Sequence, residues 1–218
     1  MTYRRDSDVF APYGSFSQHS EPGSVLPILE RARALPKPKL VAWVVSNCNT
    51  NSKREDYVSE LQKLIPVDIF GGCGQKSCPG ERINSGECRM LLERDYMFYL
   101  AFENSKCNDY VTEKFYLALD MDIVPIVMGG ANYSAIAPPG SYIDVNDYSS
   151  AQELAEELKR LSKVQEEYLN FFRWKAKTKV LHGWGQAGCN LCKSLHESKP
   201  TKTYKDLGAW WRGSGNCQ

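Results

Sequence analysis

DYMFYLAFENSKCNDYVTEKFYLALDMDIVPIVMGG, residues 95–130, is the stretch that decides the fold predicted from this sequence. Its apolar run 96–102 is unbroken, as is typical of a parallel strand buried on both faces. The polar segment 104–109 ends in Asn-Asp, either of which can cap a helix, and residues 111–119 then place apolar side chains at helical spacing. A second apolar run, 123–128, completes a strand–helix–strand crossover of the kind that builds parallel α/β sheets.

Three polar side chains lie where the helix of this crossover is predicted to begin. Tyr110, Glu113 and Lys114 have the spacing i, i+3, i+4, so they are expected to share one side of its first two turns. The position follows the carboxyl end of a strand, where ligands bind in open α/β sheets. Backbone N–H groups and Lys114 favour phosphate oxygens, whereas Glu113 suits sugar hydroxyls or a developing positive charge. The set predicts a nucleotide-sugar site; the alternative is that Glu113 and Lys114 are ordinary solvated helix residues.

The chain before this crossover predicts a second strand–helix pair with a cation at its junction. Residues 40–45 are a predicted strand and 52–64 a predicted helix, with Arg54 in its first turn. A guanidinium there can hold two phosphate oxygens at once, although an ordinary exposed arginine is the alternative. Residues 67–70 are a further strand, and the glycine-rich 71–74 lacks the spacing and lysine of a phosphate loop, so a turn beside a disulfide is predicted.

Shorter elements fill the rest of the chain. A short helix is predicted to end near residues 90–92, and a short strand spans 142–145. Helix 149–161 is amphipathic, with Ser150 as its N-cap. Helix 164–177 carries a stripe of aromatic side chains, which is interpreted as packing rather than as a binding surface.

Composition limits the classes of partner. Lys and Arg total 27 against 26 Asp and Glu, so no nucleic acid or other acidic polymer is expected to bind. Hydrophobic residues make up 42% of the chain, which is enough for a packed core. The amino-terminal sequence is polar and contains neither a signal peptide nor an apolar run long enough to span a membrane.

Eight cysteines in a chain of this size favour an oxidising compartment. All are disulfide candidates, with the pairing left open: Cys48, Cys73, Cys78, Cys88, Cys107, Cys189, Cys192 and Cys217. Asn132-Tyr133-Ser134 is a glycosylation sequon, which makes Asn132 a candidate acceptor in the secretory route.

The pair Cys189-x-x-Cys192 has three interpretations. A zinc site would need two further ligands, for which Cys73 and Cys78, or His182 and His196, are the candidates. A redox motif would need a thioredoxin-like unit, and the sequence predicts none. A structural disulfide is the simplest interpretation, given the cysteine content.

The block FYLAFENSKCNDYVTEKFYLAL, followed by VPIVMG, resembles the signature of the α1,3-fucosyltransferase family. Further segments agree in the same order along the chain: TYRRDSDVFAPYG at 2–14, VAWVVSNCNTNSKREDYVSEL at 41–61, VDIFGGCG at 67–74 and FFRW at 171–174. The late Cys-x-x-Cys agrees as well, and the cysteine-rich segments are most similar to invertebrate and core-type members of this glycosyltransferase family 10.

The resemblance implies a fold, a reaction and a set of residues. The fold would be a Rossmann-like parallel sheet flanked by helices, the donor-binding half of a GT-B glycosyltransferase. The reaction would be inverting transfer of fucose from GDP-fucose to a GlcNAc 3-hydroxyl of a glycoprotein glycan, without an obligatory metal and with a divalent cation at most stimulatory. The donor-binding residues carried over are Arg54, Asn104, Tyr110, Glu113 and Lys114. Glu113 would contact the sugar in the transition state, and the general base would lie in the preceding domain, so none is named here.

The resemblance also implies an organisation and a location. Residues 1–36 are predicted to be a connecting segment near the cleft, and 37–218 a GDP-fucose-binding domain with carboxyl-terminal helices. Family members are type II membrane proteins of the Golgi, so the chain is expected to be a carboxyl-terminal portion that acts in the Golgi lumen, with its membrane anchor in a preceding part. In some relatives the late cysteines bridge to that part. The acceptor, a core GlcNAc or a Lewis-type antenna, is left open.

Two other functions stay open at this point. One is a fragment that binds a nucleotide-sugar without catalysis, because the acceptor domain is missing. The other is a zinc-stabilised nucleotide-binding module unrelated to sugar transfer.

Overall fold

The computed structural model describes residues 1–21, 23–80, 83, 86–198, 201–215 and 217. The strands are β1 (Gly14–Gln18), β2 (Lys39–Val44), β3 (Val67–Phe70), β4 (Tyr96–Phe102), β5 (Val124–Met128), β6 (Ile143–Asp144) and β7 (Thr178–His182). The α-helices are α1 (Leu26–Ala34), α2 (Arg54–Gln62), α3 (Gly86–Asp95), α4 (Glu113–Asp120), α5 (Ala151–Leu161), α6 (Gln165–Asn170), α7 (Trp184–His196) and α8 (Leu207–Gly215). Short 3₁₀ helices span Tyr133–Ala135, Val145–Asp147 and Arg173–Ala176.

A five-stranded sheet with the order β3-β2-β4-β5-β6 forms the centre of the fold, and all of its neighbouring strands are parallel. Helices cover both of its faces. The predicted fold class, a Rossmann-like parallel sheet flanked by helices, is therefore confirmed.

The strand order has one switch point. From β2 the chain continues to β3 on one side, and it then returns to place β4 on the other side of β2. The connections that leave β2 and β4 therefore diverge and open a crevice at the carboxyl ends of these strands, which is where doubly wound sheets bind ligands. The crossover predicted from residues 95–130 supplies β4, one of the two strands that flank this crevice.

β4 is buried on both faces, as the unbroken apolar run predicted. Phe98, Leu100 and Phe102 join one core cluster, which includes side chains of α1, α2, α5 and α6. Tyr99 and Ala101 join a second cluster, formed with α3, α4, β1 and β7. All five side chains are at most 1% exposed, so a charged side chain is expected only at the ends of this strand.

Several helix boundaries differ from the predicted ones. α2 begins at Arg54 rather than at residue 52, because Lys53 adopts left-handed backbone angles (φ 54°) that cannot continue a helix. The helix predicted over 164–177 is divided into α6 and a 3₁₀ helix, but its aromatic side chains are largely buried packing residues, as predicted. Ser150 caps α5 by accepting a hydrogen bond from the Glu153 N–H, which confirms that prediction.

The segment before residue 37 contributes regular structure. β1 pairs with β7 in an antiparallel two-stranded sheet that packs on α4. Leu29 and Ala32 of α1 are buried in the first core cluster. The domain boundary at residue 36 stays a prediction. Across the described residues, no helix has the length and apolar character needed to cross a lipid bilayer.

A buried carboxylate, Asp122, organises the end of the sheet opposite the crevice. Its side chain is 1% exposed and pairs with Arg31 and, at 2.9 Å, with Lys175 Nζ. Burial would raise the pKa of Asp122, but the hydrogen bonds and charges of these two cations outweigh it and lower the pKa. The folded state therefore holds this carboxylate in its charged form.

We expect Asp122→Asn to lower the free energy of unfolding at pH 7 by about 3 kcal/mol, because it leaves the largely buried Lys175 without its counter-charge. Because the folded-state pKa is lowered, the carboxylate stabilises the protein above its unfolded pKa near 3.8, and this contribution is lost as the pH falls through the folded-state value. Urea unfolding measures the difference in the free energy of unfolding between the wild type and Asp122→Asn. This difference should be smaller at the lowest pH where both proteins fold than at pH 7. The matched control is Glu60→Gln, which breaks an exposed pair with Lys63 and should cost less than about 0.5 kcal/mol; equal losses in the two variants would contradict the expectation.

Candidate functional site

The loop that follows β4 turns before the helix begins. Asp109 has left-handed backbone angles (φ 61°), and the Tyr110 N–H donates to the Cys107 carbonyl at 3.3 Å. α4 starts only at Glu113, with Thr112 in the N-cap position. The prediction that Asn108 or Asp109 caps the helix is therefore wrong, since the backbone is still turning at these residues. Tyr110 precedes the helix instead of lying on its first turn.

A hydrogen-bonded chain joins the end of β4 to the start of α4. The Glu103 carboxylate accepts the Thr112 N–H at Oε1 and the Thr112 hydroxyl at Oε2, each at 2.7 Å. The Lys114 ammonium donates to the same hydroxyl, Thr112 Oγ1, at 2.9 Å, and lies 3.5 Å from Glu103 Oε2. Lys114 Nζ also lies 3.2 Å from Glu113 Oε1. Lys114 is therefore held between a buried carboxylate and an exposed one.

The two carboxylates differ strongly in exposure. The Glu103 side chain is 0% exposed, whereas that of Glu113 is 47% exposed. Burial raises the pKa of Glu103; the charge of Lys114 and the hydrogen bonds from Thr112 oppose this rise without cancelling it. Burial, together with the negative charge of Glu103, also raises the pKa of the Tyr110 hydroxyl, which keeps that group a hydrogen-bond donor at neutral pH.

An open cavity of about 980 Å³ lies beside these residues, and Tyr110 and Glu113 are part of its wall. The Tyr3 ring packs against the Tyr110 ring with centroids 4.9 Å apart, and Tyr13 meets Tyr110 edge-on at 6.4 Å. Trp211 contacts Tyr3 at 5.3 Å. Distant parts of the chain thus form an aromatic wall next to a carboxylate, a combination that suits planar bases and sugar rings.

Arg54 lies at the switch point but does not face solvent. Its guanidinium is 2% exposed and donates from Nη1 to the Phe102 carbonyl at 2.7 Å and from Nη2 to the Asn47 carbonyl at 3.1 Å. It therefore ties the end of β4 to the loop that follows β2. The alternative of an ordinary exposed arginine is therefore wrong. The phosphate contact stays a prediction, and two of the N–H groups are already bonded to carbonyl oxygens.

Asn104 is held by its backbone next to this bridge. Its carbonyl accepts the Ser52 N–H at 3.1 Å, and the Ser52 hydroxyl donates to the Glu103 carbonyl at 2.7 Å. The Asn104 Oδ1 atom is buried without a hydrogen-bond partner among the described residues. This amide is therefore a candidate contact for a ligand that brings a donor to the end of β4.

The predicted site residues gather around the carboxyl end of β4, but in two layers. Tyr110 and Glu113 line the cavity, and Lys114 contacts Glu113 at its edge. Arg54 and Asn104 lie beneath, bonded to the backbone around the strand end. The sequence reasoning missed other members of the site: Glu103, Thr112, Tyr3 and Tyr13. The available signal was Glu103 itself, a carboxylate placed directly after a strand that is buried on both faces.

Three disulfides join six of the eight cysteines. Cys48–Cys73 links the loop after β2 to the glycine-rich turn after β3, as predicted for a turn beside a disulfide. Cys107–Cys217 links the loop after β4 to the carboxyl-terminal end of the chain. The third bond is Cys78–Cys88.

Cys189 and Cys192 have exposed free thiols on α7, and a disulfide at either of these two candidates, whose partners were left open, stays a prediction. The zinc interpretation loses two of its nominated ligands, because Cys73 and Cys78 are bonded to other cysteines. In the described part of the chain, no three His, Cys, Asp or Glu side chains are grouped closely enough to hold a metal ion.

The sequon residue Asn132 is exposed at the start of a 3₁₀ helix. Its Oδ1 accepts the Ser134 hydroxyl at 2.7 Å and the Ala135 N–H at 3.2 Å. Glycosylation at this residue stays a prediction.

A doubly wound parallel sheet, with a cation, a carboxylate and a large cavity at its switch point, defines the class of α/β domains that bind small polar ligands. The family model described as glycosyltransferase family 10 (fucosyltransferase), C-terminal, matches residues 34–210. The chain therefore belongs to glycosyltransferase family 10.

Relatives with reviewed names agree with this assignment. The chain is 39% identical to α-(1,3)-fucosyltransferase C of Drosophila melanogaster, over 100% of its own length and 54% of that protein. It is 42% identical to glycoprotein 3-α-L-fucosyltransferase A of the same organism, over 99% of the chain and 43% of the relative. The chain thus spans about half the length of these relatives.

Solved structures agree in fold. A crystal structure of an α1,3-fucosyltransferase with GDP-fucose is similar with a TM-score of 0.60 and 21% identity, over 83% of this chain and 54% of that one. A crystal structure of an α1,3-fucosyltransferase with GDP gives a TM-score of 0.57, over 75% and 48% of the two chains.

Arg54→Met should lower the free energy of unfolding by about 1–3 kcal/mol, because it leaves the buried Phe102 carbonyl without its Arg54 donor. Chemical denaturation measures this, with Arg94→Met as the control, since Arg94 is 60% exposed and pairs only with its neighbour Asp95 in the described contacts. An Arg54→Met protein of unchanged stability that has lost affinity for GDP would instead assign this side chain to the phosphate.

Proposed function

We propose that this chain is the donor-binding part of an α1,3-fucosyltransferase of GT-B architecture. The reaction is transfer of fucose from GDP-fucose to the 3-hydroxyl of a GlcNAc in a glycoprotein glycan, with inversion at the anomeric carbon. Family membership supports the reaction class. The observation that carries the proposal is the pairing of Lys114 with Glu113 on the edge of a large cavity, at the switch point of the sheet.

Lys114 and the amino-terminal end of α4 suit the diphosphate. The Lys114 side chain is 21% exposed, and one of its partners, Glu113, is itself half exposed. Phosphate oxygens can therefore replace Glu113 as the partner of Lys114 without opening the core. The helix dipole adds positive potential at the same end of α4. Together they stabilise the negative charge that GDP gains as it leaves, without an obligatory metal; any divalent cation is stimulatory at most.

Glu113 suits the sugar. Its carboxylate is exposed at the cavity wall, where it can accept hydrogen bonds from fucose hydroxyls. When the bond between the anomeric carbon and the phosphate oxygen breaks, positive charge develops on the sugar ring, and a carboxylate beside it stabilises that charge. Tyr110, a protonated hydroxyl on the same wall, adds a donor and an aromatic face.

The attacking GlcNAc hydroxyl must lose its proton to a base. We assign that base to the acceptor-binding half of the enzyme and name no residue of this chain. We further propose that the protein acts in the Golgi lumen, anchored to the cisternal membrane through a preceding part. The three disulfides support an oxidising compartment.

Calorimetry of the 218-residue chain with GDP, GDP-fucose and ADP tests donor binding directly. We expect both guanine nucleotides to bind and ADP to bind more weakly. Transfer to defined GlcNAc-containing glycans is then measured with the chain joined to its acceptor-binding half. Donor binding without transfer in that longer protein would favour the alternative of a non-catalytic binding fragment, and no binding of either guanine nucleotide would contradict the proposal.

Lys114→Ala should weaken GDP binding by about 1.5–3 kcal/mol, the loss expected for one charge-assisted contact. The free energy of unfolding should also fall, because the buried Glu103 loses its cation, but the fold should be retained, since both hydrogen bonds from Thr112 to Glu103 remain. Calorimetry measures the affinity, and Lys63→Ala, which removes an exposed lysine paired with Glu60 on α2, is the control. Unchanged GDP affinity in Lys114→Ala would remove this residue from the site.

Glu113→Gln keeps the shape of the side chain and removes its charge. In the longer protein, GDP should bind as well as before or better, because a negative charge beside the diphosphate is gone. Turnover should fall by about two orders of magnitude, or about 2.7 kcal/mol, because the lost interaction strengthens only in the transition state. Steady-state kinetics alongside GDP calorimetry separates the two effects, and a parallel loss of both would make Glu113 a nucleotide contact.

A further inference from the structure

The Glu103 carboxylate is an unusual group for its place in the fold. Its side chain is 0% exposed, and it lies among the ends of β4, β5 and the loop between β4 and α4. A carboxylate in such a position is unfavourable unless it is paired and hydrogen-bonded. Both of its oxygens are used: Oε1 accepts the Thr112 N–H, and Oε2 accepts the Thr112 hydroxyl.

These bonds determine the orientation of a third group. Because the Thr112 hydroxyl donates its single proton to Glu103, its oxygen can only accept, and it accepts from the Lys114 ammonium at 2.9 Å. A glutamine could not reproduce this arrangement. Its carbonyl can accept at only one of the two positions, and its NH₂ group would either face the Thr112 N–H or donate to the Thr112 hydroxyl oxygen in competition with Lys114.

We propose that Glu103 is a positioning residue for the donor, acting through Thr112 to fix both the N-cap of α4 and the direction of the Lys114 ammonium. The inference rests on the proposed function, since it assigns Lys114 to the diphosphate. Glu103 itself does not touch the ligand. It holds the cation at the cavity edge before the donor arrives, so less side-chain freedom is lost on binding.

Glu103 has two opposing effects on GDP binding. The direction in which GDP affinity changes when Glu103 is replaced therefore tests the inference. Long-range electrostatics alone predicts that removing a negative charge near Lys114 tightens the binding of an anionic diphosphate. Positioning predicts the reverse, because the ammonium loses its fixed partner. For Glu103→Gln, we expect positioning to dominate and GDP affinity to fall about tenfold, the effect of one well-placed charge-assisted bond.

Matched variants of Thr112 test the contacts from Glu103 through Thr112 to Lys114 without changing the net charge. Thr112→Val keeps the side-chain shape and the backbone N–H but removes the hydroxyl, whereas Thr112→Ser keeps the hydroxyl. We expect GDP affinity to fall about tenfold in Thr112→Val. In Thr112→Ser it should stay within about twofold of wild type, as expected when a contact is conserved.

A double-mutant cycle separates positioning from a purely structural role. In the Lys114→Ala background, Glu103→Gln should change GDP affinity by less than about twofold, because the group that it positions is gone. A structural role would lower affinity equally in both backgrounds. Thermal denaturation of every variant shows whether it is folded. If Glu103→Gln does not fold, the GDP affinities of Thr112→Val and Thr112→Ser decide whether these contacts position Lys114.

The experiment is GDP calorimetry on these six proteins, combined with ¹⁵N NMR of the Lys114 ammonium in the absence of ligand. The ammonium correlation should be protected in the wild type and in Thr112→Ser, and lost in Thr112→Val and Glu103→Gln. GDP affinity that is equal or tighter in Glu103→Gln, or additive losses in the cycle, would overturn the proposal. If the wild type does not bind GDP, the proposed function fails, and the NMR comparison still decides whether Glu103 orients Lys114.

Discussion

Burial of β4 on both faces is the constraint on which the site depends. Because each of its central side chains is enclosed by core clusters above and below the sheet, polar chemistry is confined to the strand end. The chain places Glu103 and Asn104 there, and the strand's last carbonyl, at Phe102, is bonded by Arg54. The helices on the two faces thus fix the position of the strand, and the strand fixes the groups at the switch point.

Two cations, Arg54 and Lys114, lie at this strand end, and they differ in how easily each can exchange its present partner for an anion. Arg54 is 2% exposed, and moving it would leave the buried Phe102 carbonyl without this donor, at a cost of about 1–3 kcal/mol. The pair between Lys114 and Glu113 is partly exposed, and such pairs contribute only about 0–1 kcal/mol. An arriving anion can therefore displace Glu113 far more easily than it can displace a carbonyl from Arg54. On the proposed function, the cation available to the diphosphate is therefore the lysine, which Thr112 and Glu103 hold in place.

Much of the fold could be predicted because its main elements are local in sequence. The continuous apolar runs identified β4 and β5, and the amphipathic pattern with Ser150 identified α5. The start of α4 could not be predicted in this way. It depends on the left-handed turn at Asp109 and on a hydrogen bond from Thr112 to Glu103, neither of which appears in the spacing of apolar residues.

The site was predicted in part for the same reason. Glu113 and Lys114 are neighbours in sequence and remain neighbours in space. The burial of Arg54 and the packing of Tyr3 against Tyr110 arise from contacts between distant parts of the chain. A pattern read along one helix gives no information on such contacts, so the environments of these residues could not be predicted from the sequence.

The charges around Lys114 indicate different roles for the carboxylates of Glu103 and Glu113. Two carboxylates, those of Glu103 and Glu113, lie against one ammonium, and a bound diphosphate would add further negative charge to the same place. One of the two carboxylates must then move away from Lys114 when the diphosphate binds. Glu103 cannot, because it is 0% exposed and holds two hydrogen bonds from Thr112; Glu113, 47% exposed, can turn towards the cavity. On the proposed function, this single exchange gives the leaving diphosphate its cation and leaves a free carboxylate beside the sugar on which positive charge develops.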